Sequence, residues 1–256
     1  MSKKSKIYTR DEFEAMRLKK AREMAGDQEL QKDALDVLIR ADRYDWIHQS
    51  NWMGEPVLQL PQDMFAVQEI ICRTKPDFII EVGVAWGGSI LFYATVCEAL
   101  GHGRIIGVDI FMPKDMRDRI GAKGKITERI RLLEGSSIRE EIFMQVKEIV
   151  GDTRHVMVLL DSNHTHDHVL QELELYAPLV GKNHYLVCGD TIIERLPEQP
   201  HRSRAWGKGN NPMTALDQFL AREDRFVMDH DFDDKLLFSC NPRGYLKVVR
   251  DEEEKR

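Results

Sequence analysis

The sequence predicts an α/β protein: a doubly wound, mostly parallel sheet, with an antiparallel strand at its C-terminal end and a helical extension at its N-terminus. Three observations predict it. Short apolar runs alternate with segments of helical length from Phe78 to Cys188, the pattern of parallel strands joined by crossover helices. The first run, Phe78–Val82, opens onto a glycine turn, Gly83-Val84-Ala85-Trp86-Gly87-Gly88-Ser89, and then onto a helix-forming segment, Ile90–Leu100. Small or acidic residues follow each strand, among them Asp109, Gly135, Asp161 and Asp190, where an open sheet of this kind binds its ligands.

The bulk properties agree. A chain of 256 residues, with 42% hydrophobic and 31% charged residues, holds one large domain plus an extension and can bury a sizeable core. No apolar run approaches the roughly 20 residues of a membrane span. The basic start, Met1–Lys6, has no apolar stretch behind it, which argues against a secretory signal. Cys72, Cys97, Cys188 and Cys240 are far apart and lie in apolar segments, as reduced core thiols of a cytoplasmic protein do. A net charge of −6 without a dense basic stripe speaks against nucleic acid as a partner.

In chain order, Thr9-Arg10-Asp11-Glu12 is a capping box opening a highly charged helix that Gly26 stops. A second helix, Gln28–Arg40, gathers Leu30, Ala34, Leu35, Leu38 and Ile39 on one face. Tyr44, Trp46, Trp52 and Met53 then pack the extension, residues 1–60, onto the main domain, residues 61–250, or form a lid. Pro61 opens a helix that ends before Pro76. Strands are expected at Phe78–Val82, Arg104–Asp109, Ile130–Leu133, Val156–Leu160 and His184–Cys188, with helices at Ile90–Leu100, Arg139–Val150 and Asp167–Ala177. Pro113–Lys125 reads as irregular. After Asp190 comes a long polar loop containing Pro197, Pro200, Arg202, Arg204, Trp206, Gly207 and Gly209. Asn211-Pro212 starts a further helix, to about Ala221. Strands at Phe226–Met228, Leu236–Cys240 and Tyr245–Val249 close the domain, the last two antiparallel, and residues 251–256 form a tail.

The glycine turn is Gly83-x-x-x-Gly87-Gly88, neither the dinucleotide fingerprint nor a P-loop, yet it suits a nucleoside ligand. Asp109, ending the second strand, can accept from ribose hydroxyls, and Ser136 and Ser137 can reach the base. Asp161 and Asp190 end neighbouring strands, and two converging carboxylates suit a hard cation such as Mg²⁺. His164 can stand beside it as a general base. His166 and His168 fall at a helix start and read as surface or packing residues. The run His164-Thr165-His166-Asp167-His168 also resembles the zinc motif of metallo-β-lactamase-like hydrolases, one residue short. A zinc metallohydrolase is therefore a rival reading.

Taken together, the chain resembles class I S-adenosylmethionine-dependent methyltransferases, within them the cephalosporin hydroxylase-like and rhamnosyl O-methyltransferase group. The resemblance rests on Gln59-Leu60-Pro61-Gln62-Asp63, Ile80-Glu81-Val82-Gly83 with Gly87-Gly88-Ser89, Gly107-Val108-Asp109, Gly135-Ser136-Ser137, Leu160-Asp161-Ser162-Asn163-His164, Gly189-Asp190-Thr191, Asn211-Pro212-Met213 and Asn241-Pro242-Arg243-Gly244-Tyr245-Leu246. It implies a Rossmann-like domain and S-adenosylmethionine bound by Glu81, Gly83, Trp86, Gly87, Gly88, Ser89, Asp109, Ser136, Ser137 and Asp161. It implies Mg²⁺ on Asp161 and Asp190, with Asp161 and His164 catalytic. It implies a sugar or glycosylated acceptor and a homo-oligomer. The family pattern has Glu-Asp where this chain has Gly189-Asp190, so one metal ligand is missing, and Glu194 is a candidate to compensate. That departure keeps open a non-catalytic, cofactor-binding subunit of a biosynthetic complex.

Overall fold

The structure, a computed structural model, describes residues 8–199 and 203–251. Pro200 and Arg202 of the polar loop, the basic start Met1–Lys6 and the tail beyond Asp251 lie outside the described residues.

In chain order the elements are α1 (Arg10–Gly26), α2 (Gln28–Asp42), β1 (Ser50–Trp52), β2 (Glu55–Val57), α3 (Pro61–Thr74), β3 (Phe78–Val82), α4 (Gly88–Leu100), β4 (Arg104–Asp109) and α5 (Lys114–Gly121). Then follow β5 (Ile130–Glu134), α6 (Glu140–Val150), β6 (Val156–Leu160), α7 (His166–Tyr176), β7 (Tyr185–Cys188), α8 (Pro212–Leu220), β8 (Phe226–Met228), α9 (His230–Asp233) and β9 (Tyr245–Val248). The main sheet has seven strands in the order β5-β4-β3-β6-β7-β9-β8. The pairings from β5 to β7 are parallel, and β9 runs antiparallel to both β7 and β8.

Both faces of the sheet are buried, which is why its strands read as continuous apolar runs. Side chains alternate across it. Ile80, Val82, Ile106, Val108 and Val158 face α6, α7 and α8. Ile79, Ile105, Met157 and Leu159 face α3, α4 and α5. Leu38 of α2 packs on Leu60, Ile192 and Cys240. Trp46 meets Phe238 edge-on, and Trp52 meets Phe92 in the same way while its indole N–H donates to Thr95. Helix α1 carries the expected capping box, has no buried residue and reaches α9 through Arg22 and Asp231. Among the described residues, no helix is long and apolar enough to cross a membrane.

Two expectations are corrected. Residues Lys114–Gly121 are helical, because Met116 and Ile120, one turn apart, are both buried. Leu236–Cys240 is not a strand. The Cys240 amide donates to the Asp63 carboxylate and the Cys240 carbonyl accepts from the Ile192 amide, so neither joins a ladder. The antiparallel partner of β9 is therefore β8 rather than that segment.

Candidate active site

The chain moves outward from β3 through β4 to β5, then returns to β6 on the other side of β3. That reversal opens a crevice beyond the strand ends, the place where an open α/β sheet binds ligands. A cavity of about 460 Å³ lies there, and five successive strand ends contribute to its wall: Ser136 and Ser137 after β5, Asp109 of β4, Gly83 after β3, Asp161 after β6 and Asp190 after β7. The β2 end covers it with Pro56, Leu58 and Gln59, and the polar loop adds Arg204 and Trp206.

Gly83 has φ of +96°, and a Cβ there would meet the Asp161 carbonyl oxygen at 2.1 Å. The turn is held from β4: Asp109 Oδ2 accepts from the amides of Val84 and Ala85 at 2.8 and 3.0 Å, and Oδ1 accepts from Phe111 at 3.1 Å. A carboxylate has about four acceptor positions, so Asp109 spends most of its capacity on the backbone. Ser89 lines the cavity; Trp86, Gly87 and Gly88 do not. A Cβ on Gly87 would strike Ile120 of α5, and one on Gly88 would strike the Pro56 carbonyl. These two glycines serve close packing behind the cavity wall, and Trp86 projects outward, about half exposed.

Glu81 also lies behind the wall. It is fully buried, and neither carboxylate oxygen makes a hydrogen bond of normal geometry. Burial pushes its pKa up to about 8, with the Ser89 hydroxyl offsetting part of the cost and Asp109 adding to it. Glu81 is therefore held neutral beneath the turn.

Beside the turn, past the ends of β6 and β7, ligand atoms of Asp161, His164 and Asp190 all lie within 4.8 Å of one another. His164 Nε2 is 3.3 Å from Asp190 Oδ2, and the His164 ring stands edge-on to Trp206 at 4.9 Å. Gln59 donates to Asp161 Oδ2 at 3.0 Å and accepts from the Tyr93 hydroxyl at 3.3 Å. Burial, and then the neighbouring charge of Asp190, hold the Asp161 pKa well above the usual carboxylate range. Asp190 adopts a left-handed backbone, φ of +51°, pinned by the Asn241 side chain accepting from its amide at 3.0 Å. Gly244 lets that segment approach, since a Cβ there would meet the Cys188 carbonyl at 2.2 Å.

The two carboxylates, converging in a polar crevice, fit a hard divalent cation of the Mg²⁺ class, with the His164 imidazole beside them. Among the described residues no second group of three acidic, histidine or cysteine side chains converges in this way. Glu194, the candidate for a further ligand, stands outside this group and does not line the cavity. Its carboxylate accepts from the Gly209 amide and then the Asn211 side chain, which also lower its pKa, and it ties the polar loop to α8. The zinc reading is not supported by the geometry. His166 bonds to Thr214 and Gln218 of α8, and His168 bonds to Glu172, so the three histidines diverge.

His168 is not the surface or packing residue expected: it lines the cavity beside Ser136, Ser137 and Ser162. Ser137, His168 and Glu172 are not a nucleophile triad either. The same ring nitrogen, Nε2, faces both the hydroxyl and the carboxylate, whereas a relay needs one partner on each nitrogen. Beyond the expected residues, the structure adds Gln59, His48, Ser162, His168 and Glu172 to the site or its support. Gln59 sits in the motif before Pro61, so a local signal existed. Glu172 had none, because an acid on an amphipathic helix reads as solvated.

The family model for rhamnosyl O-methyltransferase/CmcI matches residues 44–249. A rhamnosyl O-methyltransferase of Mycobacterium leprae is 30% identical over 203 residues, covering 77% of this chain and 82% of its own length. One of Mycobacterium tuberculosis is 27% identical over 203 residues, covering 77% of each chain. Among solved structures, a CmcI structure with Mg and SAM has a TM-score of 0.56 at 19% identity, covering 78% of this chain and 77% of its own. A Staphylococcus aureus protein described as a caffeoyl-CoA O-methyltransferase has a TM-score of 0.52 at 13% identity, covering 84% and 92%. These two structures share the fold. With the family model spanning most of the sequence, the chain belongs to the rhamnosyl O-methyltransferase/CmcI family of class I S-adenosylmethionine-dependent O-methyltransferases.

Proposed function

We infer that this enzyme methylates a hydroxyl of a sugar or glycosylated small molecule, with Asp161 and Asp190 holding Mg²⁺ and His164 as general base. The observation that carries the reading is the convergence of Asp161, His164 and Asp190 at the cavity wall, next to the glycine turn. S-adenosylmethionine supplies an activated methyl group, and Mg²⁺, when bound, lowers the pKa of an oxygen beside it. The chain's own residues supply alignment and proton removal. Gly83 and Ser89 form the methionine side of the cavity, and Asp109 keeps acceptor capacity for a ribose hydroxyl. Gln59 fixes one carboxylate oxygen of Asp161. His164 faces the Asp190 carboxylate, 3.3 Å away, through Nε2; its other ring nitrogen, Nδ1, receives the acceptor's proton, and Asp190 stabilises the resulting cation. Trp206 offers an apolar face to a sugar ring, and with Arg204 it screens the acceptor side from water.

The test is transfer of a labelled methyl group to a panel of glycosides, including rhamnosides, with and without Mg²⁺. Asp161→Ala and His164→Ala should each lower kcat by about a hundredfold or more. Full activity in both variants on a productive acceptor would overturn the assigned roles. Donor binding without turnover on any acceptor would favour a non-catalytic subunit.

A further inference from the structure

The cavity wall between the β5 and β6 ends contains a buried acid that the proposed methyl transfer does not use. Glu172, on α7, has no exposed surface. Its Oε1 accepts from the Ser137 hydroxyl, from the Ser162 hydroxyl at 2.6 Å and from His168 Nε2 at 3.1 Å. The three donors come from the β5 end, the β6 end and α7 itself, so one carboxylate gathers three separate elements of the wall. The Tyr176 hydroxyl donates to the Ser137 carbonyl at 3.0 Å and fixes the same corner from below.

This arrangement decides what the wall shows to a ligand. Both serine hydroxyls point their protons inward to Glu172, so neither is free to donate into the cavity. A carboxylate only accepts, so the proton of the neutral imidazole sits on Nε2 and Nδ1 is left bare. Among the described residues nothing bonds to Nδ1, while His168 lines the cavity. The corner therefore presents acceptors. Its natural ligand brings a hydrogen-bond donor.

The sheet order says which part of the cosubstrate arrives there, if the methyl-donor reading above is right. The ribose lies at Asp109 and the methionine end runs toward Gly83 and the acidic pair. The nucleobase then extends the other way, toward Gly135-Ser136-Ser137 and His168. We propose that His168 Nδ1, oriented by Glu172, accepts a hydrogen bond from the exocyclic amine of the adenine and selects a 6-aminopurine over a 6-oxopurine. Ser137 acts through Glu172 and is not itself the group that reads the base. A 6-oxo base would set its carbonyl oxygen against Nδ1, two acceptors facing each other in a partly desolvated corner, which is costly.

The experiment compares binding of S-adenosylhomocysteine and its 6-oxo analogue, S-inosylhomocysteine, to the full chain by titration calorimetry. The wild type should prefer the adenine form by about tenfold or more, since a site built to pair a polar group rejects an analogue that leaves it unpaired. His168→Phe should bring the two affinities within about threefold of each other. His168→Asn places an amide oxygen where Nδ1 stood and should keep most of the preference; it also guards against a phenylalanine variant that simply unfolds. Thermal midpoints of both variants report folding. A wild type that binds both forms equally, or a folded His168→Phe that keeps the full preference, overturns the proposal. A wild type that binds neither overturns the methyl-donor reading itself, and this inference with it.

Discussion

A Cβ on Gly189 would lie 3.0 Å from Oδ1 of Asp161 and 2.9 Å from the Leu160 carbonyl oxygen. Gly189 thus leaves the space into which the Asp161 carboxylate turns. Adding a methyl group at 189 forces a shift of main chain or of Asp161, so Gly189→Ala should cost about 1–3 kcal/mol. Gly83→Ala should cost more, about 3 kcal/mol or above, because it combines a 2.1 Å backbone overlap with a left-handed φ. Urea denaturation of both variants checks the order; equal stabilities would contradict the packing described.

Asp161 and Asp190 should act as one cation site. Asp161→Asn and Asp190→Asn each remove one of two anionic donors. Each should weaken binding of Mg²⁺, or of Mn²⁺ followed by electron paramagnetic resonance, by about tenfold or more. Glu194→Gln should leave cation affinity within about threefold of wild type, since Glu194 is committed to Gly209 and Asn211. A large loss in Glu194→Gln alone would mean that the loop reorganises around the metal.

Glu81 should impose a pH dependence on stability. Its folded pKa, raised from 4.5 to about 8, exceeds the unfolded value. Below about pH 4.5 both states hold the proton. Between there and about pH 8 the unfolded chain releases it and the folded one retains it. Stability then falls as pH rises, by up to about 1.4 kcal/mol per unit from this group. Glu81→Gln removes that slope. Relative to wild type, the variant should gain on the order of 1–3 kcal/mol between pH 5 and pH 7.5, measured by urea denaturation without cofactor. A constant difference across that range would show that Glu81 is ionised in the fold.

The hairpin over the cavity should depend on one buried acid. Burial works against ionising Glu55, but hydrogen bonds from Arg119 and Lys123, at 2.9 Å each, outweigh it and its pKa lies below the usual value. Arg119 is on α5 and Lys123 lies just beyond, so the pair clamps β2 to that side of the turn. Glu55→Ala removes two charge-assisted hydrogen bonds, while Arg119 keeps Asp115 and Lys123 keeps the Met53 carbonyl, and should cost about 1–3 kcal/mol. Because Pro56, Leu58 and Gln59 follow directly, KM should rise before kcat falls. Unchanged stability and KM would mean that the hairpin is held by its apolar contacts alone.

Much of this protein was legible in the chain. The apolar runs from Phe78 to Cys188 could only be strands buried on both faces, since their length and spacing leave room for crossover helices and little else. The glycine turn, and the acids at the ends of successive strands, follow from the same register. The order of motifs then sufficed to recognise the family. The strand expected at Leu236–Cys240 was misleading because local apolarity does not show where backbone groups find partners. There, the side chain of Asp63, far away in sequence, takes the amide.

What the sequence determined by itself was the alternation of elements, and hence the sheet and the line of Asp109, Asp161 and Asp190 along its edge. Tertiary structure alone decided what each side chain does at that edge. It put Glu81 behind the wall and Trp86 outside it, committed Glu194 to a loop, and brought His168 into the cavity through Glu172. Periodicity is a property of neighbouring residues and survives in the linear chain. Hydrogen-bond capacity is spent among residues brought together only by folding, and no local pattern records how it is shared.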